Sequence, residues 1–108
     1  MSYAYHMELY EPDLAEVGVT SVLQALGDDA RLAIVRELAE GDERCCGTFE
    51  LGLSKATRSH HLKVLREAGL THTRIEGTSR YVSLRREEME RHYPGLLGAV
   101  LGRKTKTG

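Results

Sequence analysis

The sequence predicts a mainly α-helical domain that carries a small β-hairpin, an α+β fold of one unit. Three observations predict it. Apolar residues recur at helical spacing in several short stretches, each bounded by a capping residue or a glycine. One stretch instead holds Thr, Ile, Tyr and Val on either side of Glu76-Gly77-Thr78, the pattern of two strands and a tight turn. The 108 residues, 41% hydrophobic and 29% charged, suffice for one core and little else.

Residues 1–19 carry no sustained period and are broken by Pro12 and Gly18, so they are expected to form an arm, with Tyr3, Tyr5 and Tyr10 anchoring it to a larger assembly. Thr20–Leu26 is a short helix stopped by Gly27. Asp28 is an N-cap for the next helix, and Asp29 sits in its first turn, where the helix dipole favours a carboxylate. Leu32, Val35 and Leu38, with Ile34 and Ala39, give that helix its apolar stripe, and Gly41 is expected to end it in a left-handed turn. After the polar break Asp42-Glu43-Arg44, the segment from Cys45 to Leu53 is apolar, but Gly47 and Gly52 limit any helix there to about two turns.

The strongest helix follows. Ser54 caps it, it runs from Lys55 to Ala68, and Gly69 stops it, with Leu65 and Leu70 placed to meet across a Schellman turn. Leu62, Leu65 and Ala68 define its buried stripe, which leaves Thr57, His60, Lys63 and Val64 on the far side. Strands Thr71–Ile75 and Ser79–Leu84 then make the hairpin. Arg86–His92 is helical, Pro94 interrupts it, Leu96–Leu101 adds an apolar patch, and residues 103–108 form a basic tail.

Charge points to a partner. The net charge is −1, yet residues 1–53 carry a net −8 and residues 54–86 a net +6. A local positive field attracts a polyanion even when the whole chain is near neutral. Lys55 and Lys63 suit phosphates or guanine, Thr57 and Ser59 offer hydroxyls, and His60 can donate or accept at a base edge. Arg74 and Arg80 flank the hairpin tip, within reach of phosphates or a minor groove. A protein-interaction module using the same helix is the rival from another class, and a helix that fails to shift with duplex DNA in low salt would favour it.

Two stretches, Leu23 to Leu38 (LQALGDDARLAIVREL) and Leu53 to Leu70 (LSKATRSHHLKVLREAGL), resemble the ArsR family of winged helix-turn-helix repressors, the run from Ser59 to Leu70 most closely. The resemblance covers residues 20–86. It implies a homodimer packed through its first and last helices, with residues 20–102 as the DNA-binding and dimerisation unit, bound to a near-palindromic operator of double-stranded DNA and repressing transcription until an inducer, here one that is thiol-reactive or a soft metal or arsenical, weakens binding. By position it assigns Lys55, Ala56, Ser59 and His60 to bases or backbone, and Arg74 and Arg80 to the wing. Leu14, Val17, Val19, Val22 and Leu23, with Met89, Leu96, Leu97 and Val100, are the expected dimer surface. Arg58 stands where the family carries an inward apolar residue, so it is expected to snorkel to the edge and reach a phosphate or carboxylate.

Cys45 and Cys46 leave three readings open: small buried hydrophobes, ligands of a soft metal or arsenical, or thiols that respond to oxidation. Arsenic-sensing members of the family carry Cys-x-Cys near this helix, whereas here the pair is adjacent. Zinc-sensing members carry Asp-x-His and a second His in the last helix, and His92 has no such companion. A constitutive regulator without an inducer at the cysteines is therefore the alternative within the same fold. His61 is expected to pack within the fold, and His6, His72 and His92 to be surface residues. Catalysis would require Cys45 with His60 or His61 as nucleophile and base, but no third orienting group presents itself, so no enzymatic role is expected. No apolar run spans a bilayer, and the first residues lack the basic start and apolar stretch of an export signal; two cysteines make no disulfide framework, so a cytoplasmic protein is expected.

Overall fold

In the computed structural model, which describes residues 9–49 and 51–102, the helices are α1 (Val19–Leu26), α2 (Asp29–Ala39), α3 (Lys55–Glu67), α4 (Arg86–His92) and α5 (Leu96–Leu101). The strands are β1 (Arg44–Cys45), β2 (Thr71–Glu76) and β3 (Ser79–Leu84). Tyr3, Tyr5, His6 and the basic tail lie outside the described residues. The strands form one antiparallel sheet in the order β1-β3-β2. β2 and β3 pair from Thr71 opposite Leu84 to Glu76 opposite Ser79, and Gly77 takes the positive φ (63°) that so short a loop demands. β1, which the sequence did not announce, adds Arg44 opposite Val82 and Cys45 opposite Tyr81. This is a winged-helix arrangement, with helices on one side and the hairpin projecting beside α3.

The core joins Val22, Ala25 and Leu26 of α1, Ile34, Val35 and Leu38 of α2, and Leu62 and Leu65 of α3 to Val82 and Met89. Leu32 of the expected stripe is only half-buried, and Ile34 takes its inward place. Asp28 caps α2 as its spacing suggested, accepting from the amides of Ala30 and Arg31. The end of α2 differs from expectation. Gly41 has no positive φ; instead Arg86 Nη2 donates to the carbonyls of Leu38, Ala39 and Gly41 at 3.0, 2.9 and 2.8 Å. A cation on terminal carbonyls does the work a left-handed glycine would have done.

The segment before α3 is also shorter on helix than expected. Among its described residues only a 3-10 turn, Cys46–Thr48, forms. Arg44 holds it in place: its guanidinium pairs with Glu37 at 2.9 Å, donates to the Thr48 carbonyl and lies 5.1 Å from the Phe49 ring centre.

The arm docks on its own chain. Arg66 Nε donates to the Tyr10 carbonyl, Arg85 Nη1 to that of Pro12, and the Tyr93 hydroxyl to that of Val17. Glu11 receives the Thr73 amide at 2.8 Å and sits 2.7 Å from His72 Nδ1, so this surface histidine has a partner after all. Tyr10 is held through that backbone carbonyl, while the residue is 65% exposed. Leu14, Val22 and Met89, expected on a surface shared with a second copy, are already buried inside one chain: the arm and α4 pack on each other through the segments that carry Leu14 and Met89, and Val22 belongs to α1, which packs on α2 and α3. Val19 and Leu23 of α1 remain 47% and 49% exposed, and Leu96, Leu97 and Val100 are half-buried.

Candidate nucleic-acid interface

Ser54 starts α3 as an N-cap: its hydroxyl oxygen accepts from the Thr57 amide at 3.1 Å, and the hydroxyl donates to Thr57 Oγ1 at 3.0 Å. At the other end, Gly69 donates to the Arg66 carbonyl and Leu70 to that of Leu65, both at 3.0 Å, which is the Schellman turn the sequence predicted. Gly69 has φ +84°, and a Cβ there would lie 2.4 Å from Leu14 Cδ2. Both the backbone conformation and the contact require glycine.

Between these stops α3 packs against α1, α2 and β2 through Leu62 and Leu65. Its exposed face carries Ala56, Ser59, His60, Lys63 and Glu67, with Lys55 and Thr57 exposed in the first turn. The expected outward residues therefore share one face, except Val64, which packs partly against the core. Arg58 is half-buried on the inner side, near enough to Cys46 for its charge to act on the thiol, and makes no hydrogen bond or ion pair among the described residues. His61 is largely buried, with a side chain 12% exposed, and Arg31 Nη1 donates to its Nδ1 at 3.1 Å.

The positive field is narrower than the sequence tally implies. Arg66, Arg85 and Arg86 hold the arm and the end of α2. Arg74 is exposed but clasped. Its Nε and Nη2 donate to the two carboxylate oxygens of Glu43, its Nη1 to Glu76 at 2.6 Å, and its guanidinium lies 4.6 Å from the Tyr81 ring centre. Glu43's carboxyl is accordingly held below the usual carboxylate range, chiefly by the Arg74 hydrogen bond. Sequence reasoning missed Glu43 because nothing local marks a contact 31 positions away. Lys55, Lys63 and Arg80 are exposed and make no ion pair among the described residues. Arg80 faces Ile75 across the hairpin, close to its tip.

Cys45 lies on β1 and Cys46 opens the 3-10 turn, both half-buried and both free thiols. Burial pushes the Cys46 thiol up, against the opposing field of Arg80. Among the described residues no cluster of three or more His, Cys, Asp or Glu side chains is placed to hold a metal ion. Nor, among those residues, is any helix long and apolar enough to cross a membrane.

Comparison with known proteins agrees with this geometry. Residues 28–73 match the family described as "Bacterial regulatory protein, arsR family". The HTH-type transcriptional regulator YceK of Bacillus subtilis is 44% identical over 79 residues, which are 70% of this chain and 79% of that protein. A homolog of CadC, the cadmium resistance transcriptional regulatory protein, from Staphylococcus aureus is 37% identical over 83 residues, covering 72% of this chain and 69% of that one. The solved structure of HlyU from Vibrio cholerae superposes with a TM-score of 0.57 at 30% identity, over 69% of this chain and 90% of that chain. The capped, outward-facing α3 beside a β-hairpin, together with these matches, shows that the chain belongs to the ArsR family of DNA-binding helix-turn-helix transcriptional regulators.

Proposed function

We propose that the chain is a sequence-specific repressor that acts in the cytoplasm as a homodimer, each subunit laying α3 in a major groove of a near-palindromic operator. The observation that carries this reading is the outer face of α3: Ala56, Ser59, His60 and Lys63 are exposed together, while the opposite side of the helix is fixed in the core. A major groove admits one such helix, and its first-turn amides add donors for a backbone phosphate. Ser59 and His60 then address base edges. Lys55, Thr57 and Lys63 address phosphates or guanine, and Arg80 the backbone beside the wing. Arg74 joins them only on leaving Glu43.

The second subunit is expected on α1 and α5. Val19 and Leu23 are exposed and apolar, and the half-buried residues of α5 extend that surface. A two-fold pair sets the two α3 helices roughly 34–36 Å apart, one helical turn of DNA. Electrophoretic shift with a duplex selected by the protein from a random pool, against a scrambled duplex, tests the DNA reading. Sedimentation of Leu23→Glu tests the pairing.

On release from DNA, the cysteine pair favours the constitutive reading over a soft-metal or arsenical inducer. Metals and arsenicals take the thiolate, and burial disfavours it at Cys46. Titrating the complex with arsenite, zinc or an oxidant is expected to leave it intact. A release abolished by Cys45→Ser or Cys46→Ser would restore the inducer reading.

A further inference from the structure

One guanidinium bridges three helices. Arg31, on α2, donates from Nε to the Ala25 carbonyl at 2.7 Å and from Nη2 to the Gln24 carbonyl at 3.3 Å, both at the end of α1. From Nη1 it donates to His61 Nδ1 on α3 at 3.1 Å. Arginine has no acceptor, so His61 Nδ1 must accept, and the ring proton lies on Nε2. Asp28 Oδ2 is 3.9 Å from the same nitrogen, too far to compete for it, and is itself occupied by the amides of Ala30 and Arg31. The Arg31 amide chiefly, and after it the Arg31 charge, hold the Asp28 carboxyl below its ordinary range, so it stays an anion beside the guanidinium.

His61 immediately follows His60, and the two ring centres are 5.8 Å apart. Turning α3 about its axis would swing His61 off Arg31 and His60 off its outward bearing together, because neighbours on a helix are fixed at about 100° to each other. Apolar contacts of Leu62 and Leu65 hold the helix down but are not directional; a planar fork on an imidazole nitrogen is.

We propose that Arg31 and His61 are positioning residues for DNA readout: their hydrogen bond sets the rotation of α3, and so the aim of Ser59 and His60, against α1. The proposal rests on the DNA-binding reading above and adds a path from α1 to the residues that read bases. Neither side chain needs to touch DNA. Arg31 is half-buried and His61 faces inward.

The cleaner probe is His61, since replacing it leaves the two bonds from Arg31 to α1 in place. His61→Leu removes the acceptor. His61→Asn keeps one, because an Asn amide oxygen occupies nearly the place of Nδ1. The readout is the ratio of affinities for a duplex selected by the wild-type protein and a scrambled duplex of the same composition, measured across several salt concentrations. His61→Leu is expected to lower that ratio about tenfold, with the salt slope unchanged. His61→Asn should restore most of it, and Arg31→Lys, which cannot span all three acceptors, should fall with His61→Leu. An Arg31→Lys/His61→Leu double variant should lose no more than either single one. Unchanged discrimination in folded His61→Leu, equal loss on both duplexes, or failure of His61→Asn to rescue would overturn the proposal.

A second measurement needs no DNA. Imidazole nitrogen NMR of the free wild-type protein at alkaline pH should show an unprotonated, hydrogen-bonded Nδ1 and a proton on Nε2, a signature lost in Arg31→Lys. A proton on Nδ1 would refute the Arg31–His61 bond itself. Were the wild-type protein to select no duplex at all, the DNA-binding reading would fail while this spectrum still judged the bond.

Discussion

Glu43 accepts two hydrogen bonds from Arg74, at 3.1 and 3.0 Å, and so places a carboxylate where the wing would otherwise offer DNA a free cation. Both side chains are partly exposed, and surface pairs of this kind yield to competing charge and to salt. Glu43→Gln removes one negative charge and the bidentate partner, leaving Arg74 with Glu76 alone. Duplex binding of that variant should strengthen at low salt, and its salt slope should steepen by about one. Arg74→Ala in the otherwise native chain should change binding less than Arg80→Ala. Fluorescence anisotropy across a salt series measures both.

His60 and Lys63 share the exposed face of α3 but should fail differently. His60→Ala is expected to narrow the gap between selected and scrambled duplex, by an amount equivalent to about 1–3 kcal/mol for a base contact. Lys63→Ala should weaken every duplex alike and reduce the salt slope by about one. Equal losses on all sequences from both substitutions would refute the division between base and phosphate contacts.

Gly69→Ala should be among the most damaging small changes in the chain. The residue sits at φ +84°, and the new methyl carbon would stand 2.4 Å from Leu14 Cδ2, in a side chain that is itself buried. Left-handed strain and overpacking together cost about 2–4 kcal/mol. Denaturant unfolding measures the loss. Adding Leu14→Ala should relieve the collision, so the double variant should lose less than the sum of the two single losses.

Acid should destabilise the fold through three carboxylates. Asp28 is lowered chiefly by the Arg31 amide, Glu43 by Arg74 and Glu88 by Arg85. A folded-state value below the unfolded one means the unfolded chain binds more protons through that window. The contribution is therefore complete above the ordinary carboxylate range and is lost as pH falls below about 4. Denaturant midpoints should be level near neutrality and fall below that range, less steeply in Asp28→Asn, which keeps an oxygen for the cap but titrates no proton. A midpoint that rises on acidification would contradict this.

Local chemistry explains what could be read in advance. The caps at Asp28 and Ser54, the stop at Gly69 and the turn at Gly77 each depend on residues adjacent in sequence, and each stands where its residue type implied. The outward bearing of Thr57, His60 and Lys63 followed from helical spacing, with Val64 the exception, and that of Ala56 and Ser59 from the family resemblance. What stayed hidden depends on distant partners. Arg86 replaces Gly41 as the stop of α2, 45 positions or more from the carbonyls it binds. Leu14 and Met89 look like surface for a second copy until the arm is seen lying against α4. The basic run from Lys55 to Arg86 looks like one field, yet Arg66, Arg74, Arg85 and Arg86 each have partners at home. The helix expected after Cys45 gave way to a 3-10 turn held by Arg44.

Hydroxyl-radical footprinting on a selected duplex, with the stoichiometry fixed by sedimentation of the same complex, tests the central claim most directly. Two subunits per duplex, protecting two backbone patches centred roughly 34–36 Å apart and losing both together in Leu23→Glu, is the predicted result. A single patch from a lone subunit, or protection that persists unchanged when Lys55, Lys63 and Arg80 are all replaced by alanine, would contradict it.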